Sequence, residues 1–132
     1  MKTIILDTNA LMAIAEWKID LFSEIEKCCS ELFCISVLEG TLRELEKIGQ
    51  EQRGRYKLAA KLALSLVRLK KIKIIPNSGI QGKRGKNTIV DDLLAEHSQQ
   101  GDLVLTQDAG LKKRLQKPYL TIRQKKKVVM IG

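Results

Sequence analysis

Four acidic residues stand at positions from which their carboxylates could act together. Asp7 and Asp108 each follow a short apolar run, Glu44 lies within a leucine-rich helical pattern, and Asp91 stands near the start of another. Each also has a structural explanation, because aspartate often caps helices and a helical glutamate is often simply solvated. Clustered carboxylates bind hard cations such as Mg²⁺ or Mn²⁺, which activate water and stabilise charge at a phosphoryl group. If the fold brings them together, these acids predict metal-dependent phosphodiester hydrolysis.

The charges of the chain are separated into blocks. Residues 1–51 hold 10 acids and 5 bases, and residues 91–108 hold 5 acids and neither lysine nor arginine. Residues 52–90 hold 11 bases and residues 109–132 hold 8, without any acid, and the net charge is +9. This separation suits an acidic pocket rimmed by a basic surface, which is what binding and cutting a phosphate backbone requires.

Other catalytic chemistries find little support in the sequence. Cys28, Cys29 and Cys34 lack the paired spacing of a zinc site and fit free thiols in a reducing compartment. His97 is the only histidine, which argues against catalytic Ser-His or Cys-His pairs. Neither a membrane span nor a signal peptide is visible, since Asp7 interrupts the first apolar run, and we therefore expect a cytoplasmic protein.

Apolar runs and helical repeats alternate along the chain. The expected strands are 4–6, 32–35, 73–75, 103–106 and 119–122, and the expected helices are 10–16, 21–29, 37–49, 53–69, 88–100 and 109–115. Such alternation predicts a three-layer α/β/α fold, Rossmann-like, with a central parallel sheet of about five strands in a single domain over residues 1–132. Asp7 and Asp108 would both emerge at the carboxyl edge of that sheet, where sites of such folds lie.

Local patterns add sharper predictions. Ser36-Val37-Leu38-Glu39 has the form of a capping box, so a helix should begin at Val37. The next long helix carries leucines at helical spacing, which we expect to face the core. These leucines are Leu58, Leu62, Leu66 and Leu69. Residues 77–87, with three glycines and three bases, indicate a basic loop, and a basic tail is expected from about residue 123. Residues 128–131 fit either a last strand or a docked tail.

Four segments resemble, in order, the four motifs of the PIN-domain nucleases. They are Ile5–Leu11 with Asp7-Thr8-Asn9, Leu42–Leu45 with Glu44, Val90–Ala95 with Asp91, and Leu103–Leu111 with Thr106-Gln107-Asp108. One such motif is a weak signal. Four in register, over about residues 3–123, form a specific pattern.

The resemblance implies a PIN-like fold and Mg²⁺- or Mn²⁺-dependent endoribonuclease activity. The catalytic and metal-binding residues it implies are Asp7, Glu44, Asp91 and Asp108, and the supporting polar residues are Thr8, Asn9 and Thr106. Two aspartates adjoin at the third motif. Asp91 is favoured over Asp92 because Leu93, Leu94 and Ala95 then fall where the family has apolar helix positions.

Within the family, the first two motifs look similar to those of archaeal relatives of the eukaryotic small-subunit rRNA-processing endonuclease. This resemblance implies a role in processing rRNA or another structured RNA. The ribonuclease toxins of toxin-antitoxin pairs share the four motifs, and a module that binds RNA without cutting it would keep the fold. The corresponding partners are RNA and either a ribosome-assembly factor or an antitoxin, without a membrane. The leucine-rich helices could also supply a homodimer face.

Cations of the basic segments are expected to track the RNA backbone. They are Arg53, Arg55, Lys83, Arg84, Lys86, Lys112, Lys113 and Arg114. Because aromatic residues make up only 4% of the chain, sequence recognition through stacked bases should be weak and binding should depend strongly on salt.

Overall fold

Strands and helices alternate along the chain in its structure, a computed structural model. The structure describes residues 1–76 and 86–132, and in the second range it describes side chains from residue 90. The strands are β1 (Lys2–Leu6), β2 (Phe33–Leu38), β3 (Lys73–Ile75), β4 (Leu103–Leu105), β5 (Tyr119–Arg123) and β6 (Lys127–Ile131). The helices are α1 (Thr8–Glu16), α2 (Leu21–Cys28), α3 (Glu39–Glu51), α4 (Gly54–Leu69), α5 (Lys86–Gln99) and α6 (Ala109–Lys112). Within these ranges, no helix has both the length and the apolar character needed to cross a membrane.

All of these strands belong to one sheet with the order β3-β2-β1-β4-β5-β6. The first five strands pair in parallel, as expected, and β6 pairs antiparallel to β5. The chain turns back after Arg123, so the basic tail expected from about residue 123 is instead the second half of a hairpin. At the outer side of β6, the backbone N–H of Val128 donates a hydrogen bond to the Glu24 carboxylate of α2 at 3.2 Å.

Alternate side chains of the central strands pack on opposite faces of the sheet. Ile4 and Leu6 of β1 are fully buried in a core shared with α1, α2 and α4, whereas Ile5 is fully buried in a second core with α5. Leu105 and Val104 of β4 divide in the same way. This period of two is that of a strand covered on both sides. The three-layer α/β/α prediction is therefore confirmed.

The start of α3 differs from the prediction. The capping-box pattern placed it at Val37, but β2 continues through Leu38 and the helix begins at Glu39. Ser36 and Val37 pair with β1 on one side and with β3 on the other, and Leu38 pairs with β3. Two rows of strand hydrogen bonds outweigh the single cap that Ser36 could have offered. Its buried hydroxyl has no hydrogen-bond partner among the described residues.

The buried face of α4 consists of small residues. They are Ala59, Ala60, Ala63 and Val67. The prediction that the leucine stripe faces the core was wrong for three of its four leucines, because Leu58, Leu62 and Leu69 are 60%, 43% and 80% exposed and only Leu66 packs partly buried against the core. Small side chains allow α4 to lie close to α1 and α3, its main neighbours.

Two substitutions test this orientation of α4. Ala63→Leu should lower the free energy of unfolding by about 1–3 kcal/mol, because a larger side chain must be forced into a packed core. Leu69→Ala should change it by less than about 0.5 kcal/mol, because this side chain is mostly in solvent. Urea unfolding followed by circular dichroism measures both. The reverse ranking would mean that the leucine stripe is the buried one.

Candidate active site

Asp7 lies at the carboxyl end of β1 and is the best-anchored acid of the site. It caps α1, and its carboxylate accepts hydrogen bonds from the Thr8 backbone N–H and from the Thr106 hydroxyl, both at 2.7 Å. Only 5% of the residue is exposed. Burial raises the pKa of Asp7, the two hydrogen bonds oppose this rise, and the charge of Asp108 adds to it.

Thr106 connects the ends of two neighbouring parallel strands. Its buried hydroxyl donates to Asp7, which follows β1, and accepts the backbone N–H of Asp108 at 3.1 Å just beyond β4. Asp108 caps α6 in turn, since its carboxylate accepts the N–H groups of Gly110 and Leu111 at 2.8 and 3.2 Å. One hydroxyl thus fixes the relative position of two acidic residues that are about 100 residues apart in sequence.

Glu44 reaches the same edge from α3. Its carboxylate accepts a hydrogen bond from the Thr8 hydroxyl at 2.8 Å, and Thr8 directly follows Asp7. Burial raises the pKa of Glu44, Thr8 opposes this rise, and the charges of Asp7 and Asp91 add to it. Three structural elements therefore converge through one hydrogen-bonded path from Glu44 through Thr8, Asp7 and Thr106 to Asp108.

Asp91 of α5 faces the same group of acids. Burial raises its pKa, and the charges of Asp7 and Asp108 raise it further, against a lowering effect of Arg114. The neighbouring Asp92 instead forms an ion pair with Arg114 at 2.7 Å. The charges of Asp7 and Asp108 thus act on Asp91, while Asp92 pairs with Arg114 just after α6.

The chemistry of these donors fits a divalent cation. All are carboxylate oxygens, which Mg²⁺ and Mn²⁺ prefer. A bound cation would offset the repulsion from neighbouring acids that, after burial, raises the pKa values of Asp7, Glu44 and Asp91. In the described residues, no three acidic, histidine or cysteine side chains are yet gathered as ligands around one point.

The cations expected to hold RNA fall into three groups. Lys112, Lys113 and Arg114 lie at the end of α6, the helix that Asp108 caps, and Arg114 forms an ion pair with Asp92 and lowers the pKa of Asp91. Arg53 is exposed at the start of α4, while Arg55 is tied to Glu16 at 2.6 Å. Glu16 ends α1, so Arg55 is roughly 13 Å along that helix from the Asp7 end. The remaining predictions, Lys83, Arg84 and the side chain of Lys86, lie outside the described residues.

Two polar residues differ from what the motifs suggested. Asn9 is exposed and makes no side-chain hydrogen bond to a described residue. Gln107, which sequence reasoning did not single out, accepts hydrogen bonds from the Thr121 hydroxyl and the Ile122 N–H at 2.8 and 2.7 Å, and donates to the Ile122 carbonyl at 3.2 Å. It thereby joins the Thr106-Asp108 segment to β5. A glutamine between two motif residues carries no distinctive sequence signal.

Comparison with known proteins points to one family. A family model described as a PIN like domain matches residues 4–125. The ribonuclease VapC4 of Methanocaldococcus jannaschii is 28% identical over 139 aligned positions, covering 100% of this chain and 98% of the relative. The PIN domain endonuclease Utp24 superposes with a TM-score of 0.71 at 25% identity, over 97% of this chain and 90% of that one.

A more distant likeness concerns the fold alone. The structure of VapBC2 from Rickettsia felis, bound to a DNA fragment from its promoter, has a TM-score of 0.55 at 15% identity, over 86% of this chain and 92% of that one. The family model, in contrast, extends over nearly the whole sequence and includes all four acidic motifs. The chain therefore belongs to the PIN-like domain family.

Proposed function

We propose that this protein is an endoribonuclease that hydrolyses RNA phosphodiester bonds with Mg²⁺ or Mn²⁺. The observation that supports the proposal is the hydrogen-bonded path from Glu44 to Asp108, which holds acids from three elements at one sheet edge. The names of two relatives, a ribonuclease and an endonuclease, agree with this chemistry. The basic segment beside Asp108 offers the positive charge that a phosphate backbone needs.

Each residue has a role in this proposal. Asp7, Glu44, Asp91 and Asp108 would hold the metal, which when bound supplies a water of lowered pKa and positive charge beside the scissile phosphate. Thr8 and Thr106 orient the carboxylates of Glu44 and Asp7 by donating hydrogen bonds to them. Lys112, Lys113 and Arg114 bind the phosphates that flank the bond to be cut.

A cleavage assay separates this proposal from its main alternative. Wild-type protein should cut a structured RNA in buffer with Mn²⁺, and EDTA should stop the reaction. RNA binding without cleavage, at any Mn²⁺ concentration, would instead identify a module that binds RNA without cutting it. Electrophoretic mobility of the same RNA in EDTA provides the binding measurement.

Arg114 should contribute to RNA binding more than Arg55. Both arginines pair with a carboxylate at 2.6–2.7 Å, but only Arg114 lies beside the acidic cluster. We expect Arg114→Ala to weaken RNA binding about 5- to 30-fold and to reduce the salt dependence by roughly one ion. Arg55→Ala is the matched control and should bind as wild type. Fluorescence anisotropy in EDTA at several salt concentrations measures both. An equal loss of RNA affinity in both variants would show that RNA also contacts the start of α4, where Arg55 lies.

Among RNA substrates, we propose structured RNA such as rRNA, acted on in the cytoplasm. The resemblance of the first two motifs to those of the rRNA-processing endonucleases supports this choice. A toxin role is the second candidate, because VapC4 matches the full chain. Expression of the wild type and of Asp7→Asn in a bacterial host distinguishes the two. Growth arrest by the wild type alone indicates a toxin, whereas unchanged growth and a single cut in purified small-subunit rRNA indicate a processing enzyme.

A further inference from the structure

The turn between β5 and β6 is strongly basic. Four of the five residues from Arg123 to Lys127 are lysine or arginine, and all five are exposed. The segment reads Arg123-Gln124-Lys125-Lys126-Lys127, and we call it the basic hairpin. Among the described residues, Arg123, Lys125 and Lys126 form no ion pair, whereas Lys127 interacts electrostatically with Glu24. Three cations are therefore available to another molecule.

The direction of β5 places the basic hairpin at the acidic edge of the sheet. β5 is parallel to β4, and β4 is parallel to β1, so all three strands end at the same edge. Leu105, the last residue of β4, is level with Leu120, and β5 continues for three more residues, about 10 Å. The turn therefore lies at the edge from which Asp7 and Asp108 emerge.

Gln107 ties the base of the hairpin to the segment that carries Asp108. Its side chain accepts hydrogen bonds from the Thr121 hydroxyl and the Ile122 N–H and donates one to the Ile122 carbonyl. Arg123 follows Ile122 and lies on the same face of β5 as Thr121, because strand side chains alternate. The basic hairpin and the acidic cluster are thus held in a fixed relation, as two contacts for one ligand should be.

Two further contacts fix the tip of the hairpin. The Lys126 N–H donates to the Arg123 carbonyl at 3.2 Å, closing a tight turn in which Gln124 and Lys125 have φ angles of 56° and 55°. Such a turn usually contains asparagine and glycine, and this one keeps a long cationic side chain instead. The Lys125 ammonium lies 5.7 Å from the centre of the Trp17 ring, at the end of α1. This cation–π contact supports the position of one charge at the tip.

We propose that the basic hairpin is a second RNA-binding surface, which holds the strand several nucleotides away from the scissile bond. The inference rests on the proposed endoribonuclease function. Asp7 follows β1, which lies three strand spacings from β6, about 14 Å. A nucleic-acid strand that advances by roughly 3.4 Å per phosphate covers this distance in about four nucleotides. RNA that runs along the edge from the acids toward β6 would reach Lys125 and Lys126.

RNA fits the basic hairpin better than an acidic protein does. Residues 123–127 contain no aliphatic or aromatic side chain, whereas protein interfaces usually have a buried apolar anchor. A phosphate backbone needs only positive charge along its path. The hairpin also lies at the edge where the acids would cut such a backbone. RNA that extends past the cleaved bond toward β6 should therefore bind more tightly than RNA that ends there.

Removal of charge at the tip tests the inference. In Lys125→Gln/Lys126→Gln, the affinity for a single-stranded RNA of about 12 nucleotides, measured by fluorescence anisotropy in EDTA, should fall about 5- to 30-fold. The slope of log affinity against log salt should become shallower by roughly 1.4, because about 0.7 is expected for each phosphate contact on a single strand. In the Mn²⁺ assay, KM should rise by a similar factor while kcat changes less than about twofold, because the hairpin contacts RNA away from the reacting phosphate.

Lys70→Gln/Lys71→Gln is the matched control. These lysines are also adjacent and exposed, Lys71 has a φ of 51°, and the Lys70 ammonium lies 6.0 Å from the centre of the Phe22 ring. They lie between α4 and the start of β3, at the opposite edge of the sheet. The control should bind RNA within about twofold of wild type, because charges farther away than the Debye length are screened. Thermal melting checks that both variants are folded.

Unchanged RNA affinity in the hairpin variant, or an equal loss in the control, would overturn the inference. If the hairpin variant loses affinity for polyglutamate alone, the surface belongs to an acidic protein and the inference is also overturned. Failure of the proposed function gives a different result, in which RNA binding depends on the hairpin although the wild type cuts no RNA. That result would support the RNA contact and refute the cleavage.

Discussion

Replacing Asp7 with asparagine is expected to lower the rate of RNA cleavage by a factor on the order of 10³ or more. Losses of this size are usual when a central group of a catalytic unit is removed. Asparagine keeps the size of the side chain and can still accept the Thr8 N–H. It offers no negative charge to a cation, so RNA binding in EDTA should remain. Gel analysis of a labelled structured RNA with Mn²⁺ measures the rate.

The same variant should make the metal-free protein more stable. Burial raises the pKa of Asp7 above its value in the unfolded chain, so ionisation at neutral pH works against folding. Neutral asparagine removes that cost. We expect the Tm in EDTA at pH 7 to rise by on the order of 3 °C. Asp20→Asn is the control, because Asp20 also caps a helix but is exposed and lies outside the cluster. It should leave both cleavage and Tm unchanged.

The stability effect of Asp7 has a defined pH dependence. A carboxyl with a raised folded-state pKa contributes its full stability below the unfolded pKa, and that contribution is lost as pH rises through the folded pKa. The Tm difference between Asp7→Asn and wild type in EDTA should therefore be near zero at about pH 4, the ordinary carboxyl range, and grow toward neutrality. A variant that still cuts RNA, or that melts below wild type at pH 7, would contradict this account of Asp7.

Adding Mn²⁺ to the metal-free protein should produce the second large effect, a marked gain in stability at neutral pH. A ligand present at about 100 times its Kd adds about 2.7 kcal/mol to the free energy of unfolding. Part of this binding energy comes from relief of repulsion among Asp7, Glu44 and Asp91, whose pKa values are raised partly by neighbouring acids. Differential scanning fluorimetry across a Mn²⁺ titration measures the shift.

Comparing the Mn²⁺-dependent rise in Tm of two variants tests where the ion binds. Glu44→Gln should lose most of the Mn²⁺-dependent rise in Tm, because Glu44 belongs to the cluster. Asp102→Asn should keep it, because Asp102 pairs with His97 at 3.0 Å and makes no contribution to the raised pKa values of the cluster. An equal shift in both variants would show nonspecific binding, and the absence of any shift in wild type would contradict a metal site at these acids.

The sequence was informative where one pattern had one structural solution. The short apolar run before Asp7 was consistent with a buried strand, and the alternation of strands with helices predicted a layered parallel sheet. Asp7 and Asp108 were expected at one edge, and in the structure Thr106 joins them. The sequence did not predict these hydrogen bonds of Thr106, because a threonine at this position could equally have been exposed to solvent.

Other features depended on competition between elements. At Ser36, strand pairing on both sides of β2 prevailed over the helix start that the capping-box pattern predicted. The local sequence does not reveal this pairing, because the partner strands are distant in the chain. In α4, leucines and alanines each formed an apolar stripe, and hydrophobicity favoured the leucines. The alanine stripe is buried because α4 lies close against α1 and α3, a distance that only tertiary structure sets.

The sequence pattern alone also could not decide between Asp91 and Asp92 as the residue nearer the other acids. The two residues differ by one position, and helix patterns are uncertain by that amount. In the structure, the charges of Asp7 and Asp108 raise the pKa of Asp91. Asp92 forms an ion pair with Arg114, which lies more than 20 residues further along the chain. We therefore retain Asp91 as the proposed metal ligand, with Asp91→Asn against Asp92→Asn in the Mn²⁺ titration as the direct comparison.

The hydrogen bond from Val128 to Glu24 has a consequence for how this chain behaves at high concentration. The outermost strand of an open sheet normally presents free amides onto which a foreign strand can add, the usual start of aggregation. Here a helix-borne carboxylate occupies one of those amides, and Lys127 stands beside it at the margin. At least this amide of the rim is thus not available to an added strand.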